Sequence, residues 1–196
     1  MGLAVRLQVR TLVDQAGKSV IDTDARYWVR WDRGRELWTV RSTARAQKSA
    51  KTSTQLGVRP ERRPGSPRPT LEVAEVDASA GSEPRRWTLP DAGYLSQAEA
   101  LVLPRLLGRV TEPADYGFYW FDARSGRLAQ RMDRQMPGLD GFTLLTQATL
   151  ESPALEQRVD GRGVLVRRTA DDGSIVEATT AEALLDLWRR KGLPTQ

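Results

Sequence analysis

Apolar and polar residues alternate along the start of the chain with the period of a β-strand. In "LAVRLQVRTLV", residues 3–13, the apolar side chains of Leu3, Val5, Leu7 and Val9 fall on one face, and the charged or amide side chains between them fall on the other. A period of two predicts a half-buried strand over this segment.

Two further segments rich in β-formers follow, "ARYWVRW" at 25–31 and "ELWTVRS" at 36–42. The polar linker "DRGR" at 32–35 is short enough to join them as a hairpin. Residues 1–43 therefore predict a meander of three or four antiparallel strands.

Periodicity stops between residues 44 and 69, in "ARAQKSAKTSTQLGVRPERRPGSPRP". The segment holds four prolines and is much longer than the usual connection of about 4 to 6 residues. We expect an extended arm or loop here, inserted into a single mostly-β domain formed by residues 1–43 and 70–196.

Alternation resumes after this insertion. "TLEVAEVD" at 70–77 predicts a strand, "RRWTLP" at 85–90 a short one, and "DGFTLLTQATLES" at 140–152 another. A further hairpin is expected from "GVLVRRTADDGSIVEATT", whose Asp-Gly turn lies near residue 173.

Two helices are expected. In the first, Ser96 and Glu99 have the spacing of a capping box, Pro104 limits or kinks the helix, and Gly108 can end it. In the second, at the C-terminal end of the sequence, Thr179 or Thr180 caps "AEALLDLWRRKG", which has apolar residues on one face and basic residues in its last turn. The predicted fold class is α+β, a curved antiparallel sheet with two short helices, one of them C-terminal.

The most aromatic stretch is "DYGFYWFDARSGRLAQRMDR", residues 115–134. Alternation places Tyr116, Phe118 and Trp120 on one face of a strand, which is a candidate aromatic platform for a sugar or a base. Packing of these rings into a core is the favoured interpretation. Aromatic residues on both faces also predict a central strand that is covered on both sides.

Charge is distributed unevenly. The chain of 196 residues has a net charge of +5, and residues 44–69 alone carry a net charge of +6. Arginine-rich, proline-spaced segments bind anionic surfaces, so the candidate partner-binding residues are the basic residues of this arm: Arg45, Lys48, Lys51, Arg59, Arg62, Arg63 and Arg68. We expect other protein subunits as partners, with nucleic acid or anionic lipid as alternatives.

The chain lacks the residue types on which several catalytic and binding chemistries depend. The chain has no histidine and no cysteine, and no sequence motif for nucleotide binding is present. Asp22 with Asp24, and Asp171 with Asp172 and Glu177, could hold a metal, but turn formation is the favoured interpretation of both clusters. We therefore expect no enzyme activity, no cofactor and no metal. No apolar run is long enough to span a bilayer, and no signal peptide is evident.

These observations favour a non-enzymatic structural or accessory subunit of a larger assembly, which docks through its β body and its basic arm. A carrier-like β module that binds a lipid or a sugar is the first alternative. Its predicted sheet and helix are similar in outline to the half-barrels of lipoprotein carriers, a likeness of fold alone. A nucleic-acid-binding protein acting through the arm is the second.

Overall fold

The computed structural model describes residues 1–12, 19–46, 49–61, 65, 68–77, 80–81, 83–123, 125–169, 173 and 175–192. The chain forms two compact units, Met1–Asp91 with Trp188–Gln196, and Ala92–Leu187. The single-domain organisation predicted from the sequence stays a prediction. Among the described residues, no helix has the length and apolarity needed to cross a membrane.

The first unit contains an antiparallel sheet built as a meander from long strands. Its strands are β1 (Gly2–Leu12), β2 (Val20–Arg30), β3 (Glu36–Ala46), β4 (Ser49–Arg59), β5 (Thr70–Asp77), β6 (Ala80–Gly81) and β7 (Arg85–Thr88), with β6 and β7 both paired to β5. The strands predicted over 3–13, 70–77 and 85–90 and the hairpin at 25–42 are confirmed.

The extended arm predicted over residues 44–69 is not confirmed. Strand β3 continues to Ala46, and residues 49–59 form β4, which is hydrogen-bonded to β3 over its full length and also to β5. Thr52, Thr54 and Val58 are β-branched residues at alternate positions of β4, and such residues pack well on a pleated sheet. Only the end of the segment, from residue 60 onwards, lies outside regular secondary structure where it is described.

Buried side chains of this sheet lie on one face, near the β2–β3 turn. Trp38 is 3% exposed and lies over Gly57, its directly paired neighbour on β4. A Cβ atom at position 57 would overlap the Trp38 indole. Gly57 therefore leaves the space that the buried ring occupies.

The second unit contains a helix and another antiparallel meander. Helix α1 (Gln97–Leu106) precedes strands β8 (Ala114–Asp122), β9 (Arg127–Pro137), β10 (Gly141–Gln147), β11 (Leu155–Asp160), β12 (Leu165–Thr169) and β13 (Ile175–Glu177), which pair in sequence order. The strand predicted over 140–152 and the pairing of the last hairpin are confirmed, whereas Asp171 and Asp172 of its predicted turn lie outside the described residues.

The capping box of α1 is confirmed. The Ser96 hydroxyl accepts a hydrogen bond from the backbone N–H of Glu99, and the Glu99 carboxylate accepts one from the backbone N–H of Ser96. The helix continues for two residues past Pro104 and ends at Leu106, with Leu107 rather than Gly108 as its C-cap.

Strand β8 was predicted to be central, and this prediction is wrong. It lies at the end of the strand order, with β9 on one side. On its other side, among the described residues, it meets a short parallel bridge, where Leu95 N–H donates to the carbonyl of Tyr119 and Tyr119 N–H donates to that of Gly93. The aromatic residues on one face of β8 are not all buried, because Phe121 is buried whereas Tyr119 is 41% exposed.

A second helix, α2 (Ala181–Arg190), follows β13 and confirms the predicted C-terminal helix. The Thr180 hydroxyl accepts a hydrogen bond from the backbone N–H of Ala183, as an N-cap does. Gly192, two residues after the helix, has a positive φ of 67°, as glycines that end helices often do.

The contact between Trp38 and Gly57 yields a stability prediction. Gly57→Ala should lower the free energy of unfolding by about 1 to 3 kcal/mol, because the added methyl group overpacks against a buried indole. Gly108→Ala is the matched control, since a Cβ there meets no heavy atom within 4 Å. Urea unfolding measures both variants, and an equal effect of the two substitutions would contradict the proposed packing constraint.

Candidate functional site

An open cavity of about 560 Å³ lies against one face of the first sheet. Strands β1 to β4 supply its walls. We call it the sheet groove, and define it by the apolar side chains of Trp28, Leu37, Leu56 and Val58 and by Arg6 and Arg26.

Strand register explains why these side chains meet. Residues paired directly across antiparallel strands project from the same face of a sheet. One such row runs from Ala4 through Trp28 and Leu37 to Val58. The next row, two residues along each strand, runs from Arg6 through Arg26 and Thr39 to Leu56. The groove is therefore a continuous patch on one face.

Small residues make room for the largest side chain of the groove. A Cβ atom at Gly2 would lie 2.8 Å from Trp28 Nε1, so the indole lies close against the backbone of β1. The directly paired neighbour of Trp28 on β1 is Ala4, which is also small. The groove stays open above these residues, and Leu37 and Leu56 each remain 37% exposed.

Two arginines and one aspartate form the charged edge of the groove. Arg6 binds Asp24 through two hydrogen bonds of 3.2 and 2.9 Å, and the Arg26 guanidinium lies 3.7 Å from the same carboxylate. The hydrogen bond from Arg6 lowers the pKa of the Asp24 carboxyl below its ordinary value. Because two guanidinium groups share one carboxylate, this trio carries a net charge of +1.

A second ion-pair cluster lies farther along the same face. The Arg10 guanidinium donates two hydrogen bonds to Asp22, one of them 3.1 Å long, and Arg45 lies 3.7 Å from that carboxylate. The hydrogen bond from Arg10 lowers the pKa of Asp22. The face therefore has an apolar part at the groove and a charged part beyond it.

Asp22 and Asp24 were interpreted as turn residues, with metal binding as the alternative. The turn interpretation is wrong for this pair, because both residues lie within strand β2. Each carboxylate is bound by arginine. The other acidic cluster is described only at Glu177, which lies in β13 with its carboxylate 3.6 Å from Arg167.

The basic residues predicted to bind a partner are spread over both faces of the sheet. Arg45 projects from the groove face, whereas Lys51 and Arg59 project from the opposite face. Arg68 precedes β5 and lies 3.9 Å from Asp91. Lys48, Arg62 and Arg63 lie outside the described residues. The four described side chains thus form no single basic patch, and their partner-binding role stays a prediction.

The predicted aromatic platform lies in the second unit. Tyr116 and Phe118 stack with their ring centroids 6.3 Å apart, and Trp120 lies beneath the Arg131 guanidinium at 5.4 Å. Phe118 and Trp120 also pack against the buried cluster formed by Leu95, Ala100 and Leu103. This packing is what the favoured core interpretation expects, whereas a role in ligand binding stays a prediction.

Two sets of buried polar side chains lie beside these rings. Arg131 binds Asp133 through two hydrogen bonds of 2.9 and 2.8 Å, and the pair is almost fully buried. Gln135 accepts a hydrogen bond from the Tyr116 hydroxyl and donates one to the carbonyl of Gly108. Each of these polar side chains therefore has a hydrogen-bond partner in the second unit, as buried polar groups usually do.

Sequence reasoning missed the sheet groove. Its aromatic members were noted only as part of a hairpin, and β4, which supplies Leu56 and Val58, was interpreted as part of an arm. The alternation of Thr52, Thr54, Leu56 and Val58 was the available signal, because it has the period of a strand.

The arginine–aspartate pairs predict a pH dependence of stability. A carboxyl whose pKa is lowered on folding adds stability above its unfolded pKa, near 3.8, and loses it as the pH falls through the folded value. Asp22→Asn should therefore destabilise the protein at pH 7, and the difference from the parent should disappear in strong acid. Urea unfolding across this pH range measures the effect. Glu151→Gln, at a side chain that is 88% exposed, is the control, and an equal response would contradict the prediction.

The chain matches no protein-family model, no curated protein and no solved structure. The chemistry of the sheet groove is therefore the basis on which a function is proposed.

Proposed function

We propose that this protein is a non-enzymatic, carrier-like β module that holds an amphipathic ligand, with an apolar chain and an anionic head group, in the sheet groove. The observation that carries the proposal is one open cavity with an apolar floor and arginines at its edge. The apolar chain lies along Trp28, Leu37, Leu56 and Val58, and the head group lies beside Arg6 and Arg26.

The dimensions of the groove suit a small molecule. Its volume of about 560 Å³ lies within the range of about 300 to 1,000 Å³ that is usual for ligand sites. An apolar chain that covers the exposed leucines of its floor removes them from water, which favours binding. A chain along the floor would cover Leu37 and Leu56 together.

Charge favours an anionic head group. The trio of Arg6, Arg26 and Asp24 carries a net positive charge, and Arg26 is 70% exposed and therefore accessible to a ligand. Guanidinium groups bind carboxylates and phosphates in a planar, bidentate geometry. The anionic head group is therefore either the carboxylate of a fatty acid or the phosphate of a lipid.

A lipid suits the groove better than a sugar does. Sugar recognition requires several polar groups directed at hydroxyls, together with an aromatic surface. Here the polar side chains at the groove are the two arginines and Thr39, and the remaining side chains of its two rows are apolar. We therefore propose the lipid form of the carrier hypothesis.

An accessory subunit of a protein assembly is the second candidate. It is favoured by β1, an eleven-residue strand at the end of the strand order of its sheet. Leu7 and Val9 on this strand are 38% and 41% exposed. A long edge strand with apolar side chains is suited to accept a strand from a partner. Docking of this kind would not require the basic residues of segment 44–69.

Nucleic-acid binding has less support. Arg6, Arg10 and Arg45 each lie within 4 Å of a carboxylate of the same sheet, which reduces the positive potential available to phosphates. The steep salt dependence expected of nucleic-acid binding remains its test.

The carrier proposal predicts fatty-acid binding. Palmitate should bind the protein, and Leu56→Glu should weaken binding about tenfold or more, because it places a carboxylate on the apolar floor. Leu150→Glu is the matched control, because Leu150 is 61% exposed and lies outside the groove. Isothermal titration calorimetry on the full chain measures the affinities.

The head-group assignment has a separate measurement. Arg26→Gln should weaken palmitate by about tenfold and leave hexadecanol nearly unchanged, since only the acid carries a charge. Palmitate binding that is insensitive to Leu56→Glu would contradict the site, and no binding of either probe would contradict the carrier proposal.

A further inference from the structure

Helix α2 presents an apolar surface to solvent. None of its residues, Ala181–Arg190, is buried. Leu184, Leu185 and Leu187 are 42%, 38% and 43% exposed, and Trp188 is partly exposed. Four large apolar side chains within five residues of one exposed helix need an explanation, because single exposed leucines are ordinary but contiguous ones mark binding surfaces.

The polar residues of α2 are confined to one side. With about 100° of rotation per residue, Glu182, Asp186, Arg189 and Arg190 fall within an arc of about 100°. The leucines and Trp188 occupy the other side of the helix. This is the arrangement of a helix that lies at a boundary between water and an apolar medium.

The length of α2 also indicates a partner. Isolated helices shorter than about 12 to 15 residues are marginal in water, and α2 has ten residues. Its Thr180 cap and basic last turn contribute local stability. Burial of the apolar side of α2 against a partner would stabilise the helix further.

Charge identifies the partner. Trp188 is followed directly by Arg189, Arg190 and Lys191, whereas the acidic residues Glu182 and Asp186 lie nearer the start of the helix. Tryptophan is enriched at the boundary between lipid head groups and acyl chains, and adjacent cations are attracted to anionic lipids. A tryptophan beside three consecutive cations combines both preferences at one end of α2.

We propose that α2 binds the surface of an anionic phospholipid bilayer. The helix lies in the plane of the interface, with Leu184, Leu187 and Trp188 inserted among the acyl chains. The cations of residues 189–191 contact lipid phosphates. A ten-residue helix is too short to span the hydrocarbon core, which requires about 20 residues, so the binding is peripheral and reversible. This proposal does not depend on the ligand of the sheet groove.

A second copy of the chain suits this surface less well. Ten residues provide fewer than two heptads, whereas a coiled coil requires an apolar seam over about three to four. The three consecutive cations would also repel their counterparts in a parallel pair.

Vesicle sedimentation tests the proposal. The full chain is mixed with vesicles of phosphatidylcholine alone or of phosphatidylcholine with phosphatidylglycerol. We expect binding to the anionic vesicles that falls as salt rises, and weaker binding to the neutral ones. Leu184→Glu should reduce the anionic binding by about tenfold to a hundredfold. The control Leu139→Glu makes the same change at a fully exposed leucine elsewhere and should bind as the parent does.

Two further measurements make the outcome decisive. Lys191→Glu should weaken binding to anionic vesicles more than Arg162→Glu does, because Arg162 is an 85% exposed cation outside α2. Circular dichroism confirms that each variant is folded. The proposal is overturned if the parent binds no vesicle or if Leu184→Glu and Leu139→Glu behave alike. It is also overturned if the parent protein binds no lipid but self-associates in analytical ultracentrifugation, and if Leu184→Glu abolishes that self-association.

Discussion

The register between β3 and β4 is the constraint on which the first sheet depends. It places Trp38 directly over Gly57, and only glycine leaves the required space. A shift by one residue would exchange the faces of β4, because side chains alternate along a strand. Leu56 and Val58 would then leave the groove face. A single close contact on one side of the sheet thus helps to fix which residues form the groove on the other side.

Electrostatic pairing within the sheet changes how the basic composition is interpreted. The excess positive charge of residues 44–69 suggested an arm that reaches a partner, yet Arg45 belongs to β3 and contacts Asp22. On the groove face, aspartates of β2 bind arginines of neighbouring strands. The charge that matters for the proposed ligand is therefore the small local excess at Arg6 and Arg26, and the net charge of the chain carries little information about it.

Local sequence patterns predicted the elements whose signals lie within one segment. The strict alternation of residues 3–13 gave β1, and the spacing of Ser96 and Glu99 gave the start of α1. Strand β4 was missed because serine, lysine and glutamine stand among its residues, so the polar composition obscured the alternation. Gly57 has a clear role only when Trp38 is known to lie opposite it. The groove could not be predicted at all, since its side chains come from four strands whose relative register no single segment encodes.

The parallel bridge at Tyr119 limits how the second sheet can be extended. One edge of that sheet, β8, already exchanges backbone hydrogen bonds with residues 93 and 95. A strand introduced by protein engineering, or contributed by a misfolded neighbour, would have to displace this bridge before it could run the length of β8. The edge at β13 is only three residues long and offers few backbone groups for templating. Between them, these two borders restrict lateral growth of the sheet into fibrillar aggregates.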